Sequence, residues 1–142
     1  HNYKNFTINQ FNSLKFLLKK LIRKYKVKTK NILGHSDIAP ERKKDPGEKF
    51  PWKKLSKFNL AIWHNLNEAE LKKERKKRLN KNYEKKFLKN LFKIGYKKVE
   101  KSSANSNKRY ITTAFQRRFR QSLINGIPDK ECFLISKNLL KS

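Results

Sequence analysis

Apolar side chains recur every three or four positions in four separate segments of this 142-residue chain, and no other sequence feature constrains its fold as strongly. This spacing places the apolar side chains on one face of an α-helix, which then packs against a core. The stripe of the first segment consists of Phe11, Leu14, Leu18, Leu21, Ile22 and Tyr25. Thr7 and Gln10 precede the stripe as a capping box, and Phe6 with Phe11 is placed as a hydrophobic staple. The sequence therefore predicts an amphipathic helix that begins after Thr7.

The other three helical segments lie between residues 83 and 142. Their stripes are Tyr83, Phe87, Leu88, Leu91 and Ile94, then Ile111, Ala114, Phe115, Phe119 and Leu123, and finally Cys132, Ile135, Leu139 and Leu140. Gly95 is suited to end the first of these helices, and Asp129 is suited to cap the last. Three short helices can share one small core, so residues 83–142 are predicted to form a small all-α domain.

The segments between these helices have other patterns. Residues 36–51 show no period and contain three of the four prolines, which predicts an ordered loop. The short apolar run at residues 31–33, bounded by Gly34, predicts a buried strand that delivers His35 at its C-terminal edge. Residues 67–82 are dominated by charge and predict a linker or an exposed helix. The chain therefore divides into residues 1–66, a charged linker at 67–82, and residues 83–142.

The large positive net charge does not by itself identify a binding partner. The 38 Lys and Arg outnumber the 11 Asp and Glu, which gives a formal net charge of +27. The excess is spread along the chain and consists mostly of Lys, whereas Arg is better suited to bidentate phosphate and guanine contacts. The aromatic residues also stand at core positions rather than as stacking platforms for bases. We expect no specific nucleic-acid binding, although a basic polyanion binder stays an alternative.

Two further observations limit the class of protein. Cys132 is the only cysteine, which excludes an internal disulfide framework and a zinc site built from several cysteines. No apolar run approaches the roughly 20 residues that a membrane span needs. The chain begins with His1, and we expect it to be an N-terminally truncated fragment. An upstream export signal or lipid anchor stays open.

Residues 34–47 concentrate the reactive side chains of the chain. Neutral histidine nitrogen and carboxylate oxygen are both zinc ligands, and a loop braced by prolines could bring His35 and Asp45 together. If the backbone is extended there, Lys43 points to the same side as Asp45, because side chains two residues apart share a face. A solvated surface loop explains the same residues, so the pattern by itself leaves both interpretations open.

The order of residues in this segment is more informative than the spacing of its reactive side chains. The string GHSDIAPERKKDPG at residues 34–47, followed by Phe50-Pro51-Trp52, closely resembles the zinc-dependent N-acetylmuramoyl-L-alanine amidases, whose fold group includes the peptidoglycan recognition proteins. The resemblance implies that residues 1–66 are the C-terminal part of an α/β amidase domain. It also implies that His35 and Asp45 are two of three protein ligands to Zn²⁺ and that Lys43 steadies the oxyanion. We expect Asp37 either to brace the loop or to orient His35, without a catalytic role.

The same resemblance implies parts that the sequence does not contain. The family takes its first zinc-binding His and a catalytic Glu from strands that come before the first helix of this chain. His1 and His64 do not stand in those contexts. We therefore expect the chain alone to bind zinc weakly and to be inactive. Trp52 is expected to pack beneath the loop rather than to stack on a sugar.

A second resemblance concerns the C-terminal helices. Residues 114–120 and 125–129 resemble the three-helix peptidoglycan-binding module that accompanies many cell-wall hydrolases, with Gln116 and Arg117 as candidate glycan contacts. The fold implied is an α/β amidase domain, C-terminal part only, followed by a small all-α three-helix domain. The partners implied are peptidoglycan or muropeptides, and the location implied is the cell envelope or periplasm, with the cytoplasm as alternative. A non-catalytic peptidoglycan-binding protein is a second interpretation.

Overall fold

The structure is a computed structural model that describes residues 4–100 and 102–141. The elements in this part of the chain are α1 (Ile8–Tyr25), a 3-10 turn (Thr29–Asn31), α2 (His35–Ile38), α3 (Trp52–Ser56), α4 (Glu68–Glu74), α5 (Lys81–Ile94), α6 (Ala104–Phe119) and α7 (Lys130–Leu139). The described residues form no β-strand, and their only β-type pairing is an isolated bridge between Arg78 and Asp129.

The predicted α/β fold is therefore wrong for the described part of the chain. Residues 31–33 do not form the predicted strand, because Asn31 closes a 3-10 turn by donating its N–H to the carbonyl of Lys28 at 2.8 Å. A buried strand needs a neighbouring strand to pair its backbone groups. Here the carbonyl of Ile32 accepts a hydrogen bond from the Arg118 side chain instead. His35 consequently begins the helix α2 rather than ending a strand.

The first helix begins after Thr7 as its sequence predicts, but Leu21 and Tyr25 of the predicted apolar stripe are exposed. The Thr7 hydroxyl accepts a hydrogen bond from the Gln10 N–H at 3.2 Å, and the Gln10 side chain accepts one from the Thr7 N–H at 2.9 Å, so the capping box is confirmed. Helix α1 packs against the first core, which consists of Phe11, Trp52, Leu55, Leu60 and Ala61, with Leu14, Leu18 and Ile22 along its edge. No helix among residues 4–100 and 102–141 combines the length and apolarity that crossing a membrane requires.

The three predicted C-terminal helices are also confirmed. Gly95 ends α5 with a φ of +122°, a backbone conformation that favours glycine. The Asp129 carboxylate caps α7 by accepting the N–H of Cys132 at 3.0 Å. The second core includes Phe87, Leu91, Ile111, Ala114, Phe115, Phe119, Cys132 and Ile135. The charged segment 67–82 contains α4, whose Leu71 belongs to this second core.

Trp63 joins the two cores, because its ring packs against both of them. The ring centroid lies 5.7 Å from that of Phe119 and 5.2 Å from that of His64, on which it stacks. His64 is itself buried. The two apolar cores therefore meet through a pair of aromatic side chains rather than through solvent.

A buried ion cluster ties α4 and α6 to the start of α7. Arg75 makes two hydrogen bonds to the Glu131 carboxylate, at 2.6 and 2.8 Å. Arg120, at the end of α6, binds the carboxylate of Asp129 and lies 3.4 Å from that of Glu131. The hydrogen bonds to Glu131 raise the pKa of Arg75. Charges that are buried together in this way stabilise one arrangement of these elements.

Removing one member of this cluster should cost much more than removing an exposed ion pair. Glu131→Gln leaves Arg75 without its anionic partner, whereas Arg120 keeps Asp129, so we expect a loss of about 3 kcal/mol in the free energy of unfolding. Glu68→Gln, which removes an exposed partner of Lys53, should cost less than about 1 kcal/mol. Chemical denaturation of both variants measures the difference, and equal losses would contradict the described burial.

Burial of His64 should make the stability of the fold depend on pH. Burial lowers the pKa of His64 below its ordinary value, with smaller opposing effects from Glu68 and Glu131 and a reinforcing one from Lys53. The unfolded chain therefore takes up the proton first, and stability is lost as the pH falls below about 6.5. We expect His64→Gln to flatten the decline in unfolding free energy between pH 7 and pH 5. Identical slopes in the two proteins would rule out this role for His64.

Candidate functional site

A short folded loop presents the residues of the candidate site. Ser36 donates its backbone N–H to the carbonyl of Asp45 at 3.0 Å, and Lys43 donates its own to the carbonyl of Ala39 at 2.9 Å. These two bonds fold residues 39–45 back onto the start of α2. The backbone thereby brings His35 and Asp45 together although they are ten residues apart in sequence.

The side chains of His35 and Asp45 are in direct contact. His35 Nδ1 lies 2.5 Å from Asp45 Oδ2, and the two side chains are 67% and 58% exposed. The hydrogen bond to His35 is the largest cause that lowers the pKa of Asp45, and the positive charge of Lys43 adds to it. The Asp45 carboxylate therefore stays ionised at neutral pH and faces solvent together with the imidazole.

Lys43 belongs to the same exposed surface. Its side chain is exposed, and its ammonium is near enough to act electrostatically on Asp45. The structure thus brings His35 and Asp45 into contact and places Lys43 on the same exposed loop. This grouping comes from the folded-back loop and not from an extended strand.

The donor atoms of this pair suit a zinc ion but do not complete its coordination. Imidazole nitrogen and carboxylate oxygen are both zinc ligands, and a catalytic zinc site uses three protein ligands. Among residues 4–100 and 102–141, no group of three or more His, Cys, Asp and Glu side chains could hold a metal ion. His64 lies in the joint between the cores and is not brought to the pair. His35 and Asp45 therefore fit part of a zinc ligand set.

A shallow cavity of about 260 Å³ adjoins the pair. Apart from His35 and Asp45, it is lined by Leu18, Ile32, Leu33, Gly34, Pro46, Phe50 and Trp52. The side chains of these lining residues are apolar, so His35 and Asp45 lie at the edge of an apolar surface. Trp52 is only 3% exposed, which confirms that it packs beneath the loop.

Sequence reasoning missed the partners of Asp37. This buried carboxylate accepts hydrogen bonds from the Gly34 N–H at 3.0 Å, from the Tyr96 hydroxyl at 2.8 Å and from Arg118 Nη1 at 2.6 Å. The sequence does indicate that Arg118 is buried, because it continues the helical spacing of Ile111 and Phe115 on one face of α6. An arginine at such a position requires a buried acidic partner.

The prediction that Gln116 contacts a glycan is wrong. Its side chain is completely buried, and its amide donates to the Asn125 side chain at 3.0 Å and to the carbonyl of Ile127 at 2.9 Å. Its oxygen accepts the N–H of Gly126 at 2.8 Å. Gln116 therefore fixes the turn between α6 and α7, and none of it faces a ligand. The adjacent Arg117 is half-buried.

Comparison with protein families and curated proteins points to amidases. A family model described as N-acetylmuramoyl-L-alanine amidase matches residues 1–48. The chain is 32% identical to the N-acetylmuramoyl-L-alanine amidase AmiD of Escherichia coli K12 over 132 residues, which is 93% of this chain and 48% of AmiD. It is 47% identical over 57 residues to the 1,6-anhydro-N-acetylmuramyl-L-alanine amidase AmpD of Enterobacter cloacae, covering 40% of this chain and 29% of AmpD.

Solved structures extend the similarity to almost the whole chain. AmiD from E. coli, in complex with the substrate anhydro-N-acetylmuramic acid-L-Ala-D-γ-Glu-L-Lys, aligns with a TM-score of 0.82 and 30% identity over 99% of this chain and 54% of AmiD. AmpDh3 from Pseudomonas aeruginosa, in complex with anhydromuramic pentapeptide, aligns with a TM-score of 0.79 and 27% identity over 99% of this chain and 55% of AmpDh3. The chain therefore spans about half the length of AmiD, and the helices on both sides of the charged segment take part in the similarity.

The tight packing at Gly34 gives a test of the loop geometry. A Cβ atom at this position would lie 2.6 Å from Pro46 Cδ and 3.4 Å from the Trp52 ring. Gly34→Ala should therefore push residues 45–46 away from α2 and cost about 1–3 kcal/mol of stability, as overpacking does. Denaturation measures the loss, and NMR contacts between the His35 ring and Asp45 report the displacement. A variant with unchanged stability and unchanged contacts would contradict the described packing.

Proposed function

We propose that this chain is part of a zinc-dependent N-acetylmuramoyl-L-alanine amidase, which hydrolyses the amide between N-acetylmuramic acid and the L-alanine of the peptidoglycan stem peptide. The observation that carries the proposal is the contact between His35 Nδ1 and Asp45 Oδ2 on an exposed loop beside Lys43. The similarity to AmiD over 93% of the chain supports it. The presence of His35, Lys43 and Asp45 in one loop favours an active amidase over a non-catalytic peptidoglycan-binding protein.

His35 and Asp45 are proposed to supply two of the protein ligands to zinc. The lowered pKa of Asp45 keeps its carboxylate ionised, which is the form that binds a cation. A bound zinc ion supplies Lewis acidity, which lowers the pKa of water and polarises the scissile carbonyl. The loop contributes by holding the nitrogen and oxygen donors side by side before the ion arrives.

Lys43 is proposed to stabilise the transition state. When the amide carbonyl is attacked, negative charge develops on its oxygen, and a fixed positive charge nearby lowers the barrier. The positive charge of Lys43 is the smallest of the causes that lower the pKa of Asp45, and its side chain is exposed on the same loop. Its backbone N–H is held by Ala39, which fixes the part of the loop from which the side chain extends.

The substrate class follows from the surroundings of the pair and from the relatives. The apolar cavity beside His35 and Asp45 can accept the lactyl and alanyl groups that flank the scissile amide, because both carry methyl groups. AmiD and AmpDh3 were solved with anhydromuramyl peptides. We propose peptidoglycan or its muropeptide fragments as the substrate of this chain, and the cell envelope as its location.

Peptidoglycan binding by residues 83–142 is part of the proposal. The resemblance of residues 114–120 and 125–129 to a wall-binding module supports it, and a module that binds the wall raises the local substrate concentration for an attached amidase. The division into residues 1–66, a charged linker at 67–82 and a three-helix domain at 83–142 stays a proposal. In the fold, α4 of this segment contributes Leu71 to the second core.

The test is hydrolysis of an anhydromuramyl peptide by the complete protein that carries this chain, with release of the stem peptide followed by chromatography. Lys43→Met should lower kcat by about 10²–10³-fold, the usual effect of losing one oxyanion-stabilising group. Lys49→Met removes another exposed lysine of the same loop and serves as the matched control with unchanged activity. Full activity after His35→Ala would contradict the proposal.

A further inference from the structure

The Asp37 carboxylate is almost completely buried, yet it stands only two residues from the exposed His35. It is 7% exposed, and three donors from different parts of the chain bind it. Gly34 donates its backbone N–H at 3.0 Å, Tyr96 its hydroxyl at 2.8 Å, and Arg118 its Nη1 at 2.6 Å. A buried carboxylate satisfied in this way fixes the position of the backbone that carries it.

Two of the three donors come from the C-terminal helices. Tyr96 follows α5, and Arg118 lies near the end of α6, 81 residues from Asp37. The Arg118 side chain is 2% exposed, so its charge is removed from water and is stabilised by Asp37. Its Nη2 also donates to the carbonyl of Ile32 at 3.0 Å. One guanidinium thus holds the backbone on both sides of Gly34.

Aromatic rings hold the guanidinium in place. Its central carbon lies 4.2 Å from the ring centre of Trp52 and 5.1 Å from that of Phe119. Trp52 belongs to the first core and Phe119 to the second. Arg118 therefore has little freedom to leave Asp37, because it is confined between two buried rings.

The constraint on Asp37 reaches the ligand pair through the backbone. His35 lies between Gly34, which is bound to the Asp37 side chain, and Ser36, whose N–H donates to the carbonyl of Asp45 at 3.0 Å. Both neighbours of His35 are therefore anchored, one to the buried carboxylate and the other to the residue that His35 faces. Movement of Asp37 would move Gly34 and Ser36, and with them the imidazole relative to Asp45.

We propose that Arg118 and Tyr96 are positioning residues for the His35–Asp45 pair and act on it through the Asp37 carboxylate. The C-terminal part of the chain then supports the metal site through Asp37, in addition to any role in wall binding. The inference rests on the proposed function only for the identity of the reaction that the pair performs. Its geometric content, that α6 holds the loop, can be tested without hydrolysis.

Arg120 provides a matched comparison for Arg118. Both are buried arginines at the C-terminal end of α6, and each binds a buried aspartate. Arg120 binds Asp129 and Glu131, which lie at the start of α7, and it has no described bond to residues 34–45. Loss of either arginine should lower thermal stability, but only the loss of Arg118 should loosen the loop.

The experiment uses NMR of the complete protein that carries this chain, with zinc chloride as the probe. The His35 ring resonances follow the zinc titration, and amide hydrogen exchange at Gly34 and Ser36 follows the loop. Arg118→Met should speed exchange at both amides and weaken the apparent zinc affinity at His35 by about 10–100-fold, as loss of a residue that orients a ligand does. Arg120→Met should lower the melting temperature while zinc affinity stays within about two-fold, because the sites are independent.

Tyr96→Phe tests the proposal with a smaller change that retains the buried ring. It removes only the hydroxyl that donates to Asp37, and we expect faster exchange at Gly34 and a zinc affinity lowered by several-fold. Tyr83→Phe removes the hydroxyl of an exposed tyrosine and should change neither. The comparison of Tyr96→Phe with Tyr83→Phe tests the positioning role even if Arg118→Met does not fold.

Two results would overturn the positioning role. One is unchanged exchange at Gly34 and Ser36 in Tyr96→Phe and in any folded Arg118→Met. The other is an equal loss of zinc affinity in the matched controls Arg120→Met and Tyr83→Phe. If the His35 ring in the complete protein that carries this chain does not respond to zinc, the proposed function fails, but the exchange rates still decide whether α6 holds the loop.

Discussion

The buried ion pair between Asp37 and Arg118 is the interaction on which the rest of this structure depends. It connects the loop of His35 and Asp45 to the second core, and its charges have no access to water. Tyr96 and the backbone of Gly34 and Ile32 make further hydrogen bonds to it. Because a buried charge that loses its partner is costly, the loop and the C-terminal helices are energetically coupled. The exposed pair can therefore keep a defined geometry although it has few contacts of its own.

This coupling changes how the chain divides into parts. The sequence pattern separates residues 1–66 from residues 83–142 by a charged segment, as expected for a catalytic part and an attached binding module. In the structure, Trp63 packs against both cores, and α4 of the charged segment supplies Leu71 to the second. The alignment with AmiD over 99% of the chain includes the helices on both sides of this segment. The two parts thus form one packed unit around the loop.

Local signals predicted most of the helices and the composition of the site. The Thr7–Gln10 capping box, the Gly95 helix end and the Asp129 cap act within a few residues, so the sequence reveals them directly. The loop motif also predicted His35, Lys43 and Asp45 as site residues, and of these the structure brings His35 and Asp45 into contact. The prediction of a strand at residues 31–33 was wrong, because strand formation depends on a pairing partner that a short apolar run cannot specify. The partners of Asp37 were missed because they lie 59 and 81 residues away.

The central claim is that His35 and Asp45 bind one metal ion. Anomalous diffraction at the zinc absorption edge, on crystals of the complete protein grown with zinc, tests it most directly. We expect an anomalous peak about 2.0–2.2 Å from both His35 Nδ1 and an Asp45 carboxylate oxygen. A zinc ion bound elsewhere, with these two side chains free in solvent, would contradict it.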